Sequence, residues 1–211
     1  MTTSKGPADA SQAPRLTPGA VRILEVASDL FYERGIHTIG VDTIADESGI
    51  TKRTLYDRFG SKDGLVAAYL QTRHDRWWDL LLRRIELADR PRALAVFDTY
   101  VADEFSSHRG CAFLNAAGEL PIDHPAHRII RAHKHAIRQL LAELLGAEAA
   151  DEDDRESVEA MADHLFLLLE GAIVQRGIVG NTRPVLRARA IAEDLLSAGE
   201  GGAGDRAPGG R

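Results

Sequence analysis

The residues with the clearest capacity for chemistry form one short segment, 51–62, with the sequence TKRTLYDRFGSK. Its charged residues are Lys52, Arg53, Asp57, Arg58 and Lys62. Four cations against one anion give the segment a charge of +3, whereas the chain of 211 residues has a formal net charge of −6. Cations and hydroxyl groups bind phosphate, and planar polar groups read the edges of bases. A cationic segment on an acidic chain therefore indicates a local contact with a polyanion, and not general coating of nucleic acid.

The same segment lies in a pattern of two short helices, about 41–48 and 52–59, joined at Gly49-Ile50. Gly49 permits a tight turn and Ala45 is small where the helices would cross, which is typical of a helix-turn-helix unit. The apolar positions of the unit are Val41, Ile44, Ala45, Ile50, Leu55 and Phe59. Helical spacing then leaves these side chains facing outward: Thr51, Lys52, Arg53, Thr54, Tyr56 and Asp57.

A solvated helix face rich in lysine and arginine would show the same run of charge. The segment differs from such a face because it lies on the second helix of a two-helix unit and carries an aromatic residue, Tyr56. We therefore interpret residues 51–62 as a surface that reads nucleic acid.

The rest of the chain shows helical periodicity almost throughout, and no alternating strand pattern persists, so we predict an all-α fold. Thr17, Thr51 and Ser61 are placed as N-caps, and Pro18 suits the first turn of the first helix. The nine predicted helices span about 18–34, 41–48, 52–59, 61–88, 91–107, 113–118, 123–146, 157–179 and 182–197.

The flanking segments 1–16 and 199–211 have the composition of a flexible arm and a disordered tail. No apolar run approaches the roughly 20 residues that span a bilayer, and no secretory signal is found at the N-terminus. The single cysteine, Cys111, agrees with a cytoplasmic location.

Residues 41–65 contain the pattern V-x-x-I-A-x-x-x-G-I-x-x-x-T-L-Y-x-x-F-x-S-K-x-x-L. This pattern resembles the DNA-binding segment of the TetR family of bacterial transcriptional regulators. The match includes LFYERGIHTIGV at residues 30–41 and covers about residues 17–70. Beyond these the resemblance is one of layout. It implies a three-helix DNA-binding head over 17–62 and a larger helical domain over 63–198, which in this family binds a small molecule and dimerises. GCAFLNAAGEL at residues 110–120 is similar to a segment in one branch of the family.

By this resemblance, the positions that hold phosphate are Thr51, Thr54, Tyr56 and Lys62. Lys52 and Arg53 match recognition-helix positions near bases or backbone, and Thr43 matches a position near the backbone. Three residues depart from the family pattern: Gly40 replaces a capping Thr, Arg53 a small residue or Pro, and Asp57 a His, Tyr or Asn. Two roles stay open for Asp57: an ion pair with Arg53, or repulsion of phosphate combined with acceptance of a hydrogen bond from cytosine.

The resemblance further implies a ligand-responsive repressor that binds a palindromic operator as a homodimer and is released by a small-molecule effector. The long fourth helix would be the lever between the head and the effector domain. Two alternatives stay open: an activator on the same scaffold, and a helical small-molecule-binding or enzyme domain with an incidental helix-turn-helix. No catalytic arrangement stands out in the sequence, so we expect neither an enzyme nor a cofactor.

Many aromatic residues and few polar groups in the larger domain indicate a pocket for an apolar or aromatic effector, with simple core packing as the alternative for each residue. The candidate pocket residues are Trp77, Trp78, Phe97, Tyr100, Val101, Phe105, Phe113, Leu114, His164 and Leu168. The helix at 157–179 is apolar on more sides than one chain can bury, which indicates a dimer interface, with a fully internal core helix as the alternative. The candidate interface residues are Leu167, Gly171, Ala172, Val174, Ile178, Val185, Ile191 and Leu195.

Two further groups of residues could carry chemistry. The histidine pairs are His124 and His127, and His133 and His135. No carboxylate or thiolate set completes a metal site with them, so we interpret them as surface histidines and expect no metal. Cys111 follows Arg109, and its thiol would be reactive with that guanidinium close by; a buried, inert thiol is the alternative.

Overall fold

The computed structural model describes residues 16–102, 109–149 and 155–202. Within those ranges the chain forms nine α-helices and no strand, which confirms the all-α prediction. None of the described helices combines the length and the apolar character that crossing a membrane requires. The helices are α1 Pro18–Arg34, α2 Val41–Ser48, α3 Lys52–Phe59, α4 Lys62–Leu87, α5 Leu94–Val101, α6 Ala112–Glu119, α7 Ala126–Gly146, α8 Arg155–Val179 and α9 Arg183–Gly202.

The predicted helix bounds differ from the structure mainly at the fifth and ninth helices. α5 begins at Leu94 and not at residue 91, because the preceding residues form i→i+3 turns in which the Leu94 amide donates to the Pro91 carbonyl at 3.1 Å. α9 extends to Gly202, into the segment predicted as a disordered tail. The predicted arm up to residue 15, the tail beyond Gly202 and the second part of the predicted fifth helix lie outside the described residues.

Three helices begin at the side-chain caps that the sequence predicts. Each capping hydroxyl accepts from the amide three residues later, at 3.4 Å for Thr17, 3.3 Å for Thr51 and 3.0 Å for Ser61. These bonds satisfy amide groups that the first turn of a helix leaves without partners. Local chemistry thus fixes where α1, α3 and α4 start.

α1, α2 and α3 form a small unit, which we call the head. The α2–α3 turn needs a left-handed residue, and Gly49 supplies it at φ +69°. Gly64, in the first turn of α4, approaches α3 so closely that an added Cβ would lie 2.0 Å from the carbonyl oxygen of Phe59. This approach fixes the corner between α3 and α4. The buried core of the head includes Ile23, Ala27, Leu30, Phe31, Ile44 and Leu55.

α4 through α9 form the larger unit, which we call the body. α4 packs against α1 and α3 in the head and against α5 and α7 in the body, so the helix predicted as a lever contacts both units. α8 packs between α7 and α9, and α9 also packs against α5. The largest fully buried side chains of the body include Phe97, Ile137, Leu141, Leu165, Leu169 and Ile173.

A set of hydrogen bonds ties the C-terminal end of α1 to both ends of α6. The Tyr32 hydroxyl donates to the carbonyl of Gly110 at 3.1 Å and accepts from the amide of Arg109 at 3.0 Å. At the other end of α6, a carboxylate oxygen of Glu119 accepts from the amides of residues 36 and 37 at 2.5 Å and 3.2 Å. We call these contacts the α1–α6 joint. They attach the head to a short helix of the body.

Two histidines predicted on the surface are buried instead, because His127 and His133 fall on the inward face of α7. His133 is 2% exposed, and its ring stacks on Phe113 with the centroids 3.8 Å apart. Its Nδ1 lies 2.9 Å from Nδ1 of His74. Burial lowers the pKa of His133 to about 2, and Lys134 and His74 add to this shift. The His133 imidazole is therefore neutral near pH 7.

The buried His133 predicts a dependence of stability on pH. Below pH about 6.5 the unfolded chain protonates this imidazole and the folded chain does not, so the free energy of unfolding falls as pH falls. The expected slope is about 1.4 kcal/mol per pH unit, or about 2 kcal/mol between pH 6.5 and 5. Denaturant unfolding of wild type and His133→Phe would show this slope only in the wild type. The exposed His135→Phe serves as the control, and equal slopes for wild type and His133→Phe would contradict the assignment.

Glu119→Gln tests the α1–α6 joint, because the amide keeps the shape of the side chain but loses the charge that strengthens both hydrogen bonds. We expect hydrogen exchange at the amides of Ile36 and His37 to accelerate about tenfold, which corresponds to about 1.4 kcal/mol of local protection. NMR or mass spectrometry would follow the exchange. Glu86→Gln, at an exposed position of α4, is the matched control. Unchanged exchange in Glu119→Gln would show that the carboxylate does not hold the loop.

Candidate nucleic-acid interface and ligand cavity

α3 presents its polar side chains outward as its sequence pattern predicts. Leu55 is fully buried in the head, and Ile50 and Phe59 are half-buried against the same core. The opposite side of the helix is therefore solvent-facing. Its exposed residues are Lys52, Arg53, Tyr56, Asp57 and Arg58, and Thr51 is exposed at the cap. Thr54, behind the cap, is partly buried, and its hydroxyl lies 3.0 Å from that of Thr51.

Two carboxylates pair with the cations of α3. Asp42, in the first turn of α2, bonds Lys52, and this hydrogen bond together with the carboxylate charge raises the pKa of Lys52. Arg53 Nε lies 3.7 Å from an oxygen of Asp57 one turn later, and the Arg53 side chain is 91% exposed. Of the two roles considered for Asp57, the ion pair with Arg53 is thus present as a loose contact. Exposed pairs of this kind contribute little to stability and are easily exchanged for another anion.

Two other predicted contact residues flank α3. Lys62 is half-buried in the first turn of α4, where partial desolvation lowers its pKa against the influence of Asp63 and Glu119. Thr43 is half-buried near the start of α2. Among the residues that the structure describes, Lys62 makes no salt bridge, so its charge is not already committed to a carboxylate.

The body contains a cavity that it shares with the head. The volume of this cavity is about 80 Å³. α1 contributes Ser28 and Asp29, and the other walls come from α4, α5, α6 and α7. Those walls are formed by Tyr69, Thr72, Arg73, Arg76, Trp77, Tyr100, Cys111, Ala112, Phe113 and His133. Because both units line it, a bound molecule would contact the head directly.

Three of the predicted pocket residues, Trp77, Tyr100 and Phe113, line this cavity, and most of the others do not. Phe97 is fully buried in the core and His164 is exposed. Phe105 lies outside the described part of the chain. The other predicted residues are half-buried and pack against the core: Trp78, Val101, Leu114 and Leu168.

The sequence interpretation missed the polar residues of the cavity. Tyr69, Arg73 and Trp77 are spaced four apart on α4, so they share one helix face, and Thr72 and Arg76 lie alongside. Their helical spacing from Trp77, which was predicted as a pocket residue, is the sequence signal that could have identified them. The guanidinium of Arg73 lies 4.4 Å from the centre of the Tyr32 ring, a cation–π distance.

The indole N–H of Trp77 has no acceptor among the described residues although the atom is fully buried. Trp77 itself is 7% exposed and lines the cavity. Its ring lies 4.7 Å from that of Tyr100, and His133 meets it edge-on with centroids 5.4 Å apart. A buried donor without an acceptor is uncommon in proteins and marks a position where a bound molecule could supply one.

Cys111 is buried at the edge of the cavity, and the cation beside it is not the predicted one. Lys134 Nζ lies 3.8 Å from its Sγ and 2.7 Å from a carboxylate oxygen of Glu170. The guanidinium of Arg109 instead donates to the carbonyl of Tyr32 at 2.6 Å. Arg109 therefore belongs to the α1–α6 joint.

α8 carries a stripe of exposed apolar residues on the side away from the core. Leu167, Gly171, Val174 and Ile178 recur with helical spacing on one face. Leu167 is 67% exposed and Ile178 is 72% exposed. A Cβ added at Gly171 would meet nothing within 4 Å, so the stripe is open at its centre. Two predicted interface residues of α9, Ile191 and Leu195, are also exposed.

Two residues of the predicted interface do not lie on this surface. Ala172 and Val185 are buried within the chain, because they fall on the inward faces of α8 and α9. They cannot offer surface to another molecule in this conformation. Conversely, Val179 and Leu186 are exposed apolar residues that the predicted interface set leaves out.

Comparison with known proteins gives one consistent result. A model for bacterial regulatory proteins of the tetR family matches residues 23–69. FasR, an HTH-type transcriptional activator of Mycolicibacterium smegmatis, is 44% identical over 54 residues. That match covers 26% of this chain and only 25% of FasR.

Similarity to solved structures extends over most of the chain. A TetR-family transcriptional regulator from Streptomyces coelicolor superimposes with a TM-score of 0.74 at 28% identity, covering 86% of this chain and 90% of that one. A TetR transcription regulator from Haloarcula marismortui shares the fold, with a TM-score of 0.70 at 20% identity over 85% of this chain and 97% of that one. The head of this protein therefore matches the tetR family of bacterial regulatory proteins, and most of the chain is similar in fold to TetR-family transcriptional regulators.

Proposed function

We propose that the protein is a ligand-responsive transcriptional repressor that binds a palindromic operator as a homodimer and is released by a small molecule. One observation carries this proposal: the unit that bears the exposed cationic helix α3 also forms a wall of the ligand cavity, through Ser28 and Asp29. A molecule that enters the cavity is therefore in a position to affect how α3 is presented.

In the proposed complex α3 enters the major groove. Lys52, Arg53 and Asp57 face the bases or the adjacent backbone. The residues proposed to hold phosphate groups are Thr43, Thr51, Thr54, Tyr56 and Lys62. The exposure of most of these side chains and the buried anchor Leu55 support this orientation.

The proposed dimer forms through the apolar stripe of α8 and the exposed residues of α9. An open glycine, Gly171, lets the helices of two copies approach closely, and the apolar side chains on either side of it gain burial. A symmetric interface of this kind uses the same surface on both subunits. It would set the two copies of α3 about 34 Å, or a multiple of that distance, apart on the operator.

The proposed switch acts through the α1–α6 joint. Phe113 and Cys111 at the start of α6 line the cavity, and Glu119 at its end holds the loop that follows α1. A ligand that displaces α6 therefore moves the head relative to the body. A coupling free energy of about 1–3 kcal/mol is enough to change operator affinity roughly 5- to 150-fold.

An activator on the same scaffold is a second candidate, because FasR, to which the head is similar, carries the name of a transcriptional activator. Both candidates require operator binding and differ in the effect on transcription. Transcription from the bound promoter in vitro, with and without the protein, decides between them.

Operator binding is tested first with DNA that flanks the protein's own gene, and Lys62→Ala tests the phosphate contacts. We expect a sequence-specific complex whose affinity falls steeply with salt, and a salt slope that is about one unit shallower for Lys62→Ala. Fluorescence anisotropy at several salt concentrations measures both. Arg131→Ala, an exposed cation of α7, should retain the wild-type slope. The absence of any specific complex would overturn the proposed function, and an unchanged slope would remove Lys62 from the contacts.

Ile178→Glu tests the proposed dimer, because it places a charge at the most exposed apolar position of the α8 stripe. We expect the variant to sediment as a monomer at concentrations where the wild type is a dimer, and to bind the operator at least about tenfold more weakly. Analytical ultracentrifugation gives the first result and anisotropy the second. Ile122→Glu is the matched control, since Ile122 is at least as exposed as Ile178 but lies in the α6–α7 connection. A dimeric Ile178→Glu protein would contradict this interface.

A further inference from the structure

We propose that the outer face of α8 and α9 binds a second copy of this chain in one antiparallel register, in which Arg187 and Asp194 form ion pairs between the copies and select this partner. This inference rests on the proposed function, in which the same face forms the homodimer. It adds the direction of the paired helices, the residues that meet across the two-fold axis, and the residues that make the surface specific for its own copy.

The apolar stripe of α8 is complementary to itself when two copies run in opposite directions. A two-fold axis perpendicular to a helix places each residue opposite the residue at the same distance on the other side of the axis. With the axis between residues 172 and 173, Leu167 lies opposite Ile178 of the partner subunit. The same axis places Gly171 opposite Val174 of the partner subunit. All four residues are exposed and share one face of α8.

The pair closest to this axis combines an open position with a side chain that can fill it. A Cβ added at Gly171 would meet nothing within 4 Å, and Val174 is 47% exposed. In the antiparallel register Val174 of one copy covers the bare backbone at Gly171 of the other, and symmetry forms this contact twice. In a parallel register the two Val174 side chains would meet and hold the two Gly171 positions apart. Close packing therefore favours the antiparallel direction.

α9 has a matching centre at the same level. An axis between residues 190 and 191 places Leu186 opposite Leu195 of the partner subunit, and all of these positions are exposed. α8 and α9 pack against each other after a short connection, so they run in opposite directions. Each centre lies about seven residues, or about 10 Å, from that connection. A single two-fold axis can therefore pass through both centres, as a symmetric dimer requires.

The charges on α9 favour the same direction. Arg187 and Asp194 are exposed, and among the described residues their side chains have no ion-pair or hydrogen-bond partner. Arg189 and Glu193 are instead paired with each other within the chain at 3.0 Å. The axis between residues 190 and 191 places Arg187 opposite Asp194 of the partner subunit, again twice. A parallel register would oppose two arginines and two aspartates, which repel each other.

These ion pairs make the surface specific for a copy of this chain. Apolar side chains gain burial against many apolar surfaces, so the stripe of α8 supplies affinity without much selection. Arg187 and Asp194 lie within about 5 Å of the axis along α9, where a partner removes them from water. A charge that is left unpaired in such an interface costs more than its ion pair contributes. A chain without matching charges at both positions is therefore rejected.

Charge reversal tests the ion pairs. We expect Arg187→Asp and Asp194→Arg each to weaken the dimer at least about tenfold, because each variant places like charges opposite each other twice. The variant with both changes should dimerise like the wild type, and a mixture of the two single variants should form heterodimers, because every cation then faces a carboxylate. Analytical ultracentrifugation measures the affinity, and native mass spectrometry the composition of the dimers. Arg131→Asp and Asp79→Arg, at exposed positions of α7 and α4, are the matched controls.

Cross-linking tests the register independently. Leu167→Cys and Ile178→Cys change exposed positions, and the native cysteine, Cys111, is buried. In the antiparallel register the two copies of residue 167 are offset by about 16 Å along the helix, too far for a disulfide. Residue 167 of one copy instead lies opposite residue 178 of the other. We therefore expect a disulfide-linked dimer from a mixture of the two variants under oxidation, and not from either variant alone.

The outcomes separate this register from the proposed function. A dimer that is insensitive to charge reversal, or that cross-links through Leu167→Cys alone, would overturn the register and leave the proposed homodimer standing. A wild-type chain that stays monomeric at every concentration measured would overturn both. Dimers with the expected selectivity but without an operator complex would support the register and refute the proposed function.

Discussion

The structure depends most on the α1–α6 joint, where Tyr32 and Glu119 connect the head to the body by hydrogen bonds. Without it, α6 would be held in the body mainly by its packing on α7, and a helix of eight residues is too short to be stable by itself. With it, both ends of α6 are fixed to the end of α1. The orientation of the head therefore depends on the position of α6, and not on α4 alone.

The joint also connects the cavity and the head to the outer apolar surface of α8 through direct packing contacts. Gly110, which accepts the hydrogen bond from Tyr32, lies against Gly177 of α8 so closely that a Cβ at Gly110 would be 2.9 Å from the Gly177 Cα. α8 carries the apolar stripe on its other side. A shift of the loop before α6 is thus transmitted both to α1 and to the helix proposed to form the dimer. Close glycine contacts leave no flexible side chain to absorb such a shift.

The sequence predicts what short-range chemistry determines, and fails where distant helices meet. The caps at Thr17, Thr51 and Ser61 and the outward face of α3 follow from residues within one or two turns. The cavity does not, because which face of α4 meets α6 and α7 is a property of tertiary packing. For this reason the sequence analysis did not single out Arg73 and Arg76, and it predicted His133 to be a surface residue. The role of Glu119 could not be predicted from the sequence, because its partners are backbone amides more than 80 residues earlier.

The acidic residues inside the cationic surface have a physical role in the proposed complex. Off DNA, Asp42 pairs with Lys52 and Asp57 with Arg53, so the surface is less positive than its count of cations suggests. Binding requires each cation to exchange a carboxylate for a phosphate or a base, which makes nonspecific contacts less favourable. Only a DNA sequence that also satisfies the carboxylates recovers the lost ion pairs. An acidic chain with a partly neutralised α3 is therefore better suited to selecting one operator than to holding DNA strongly.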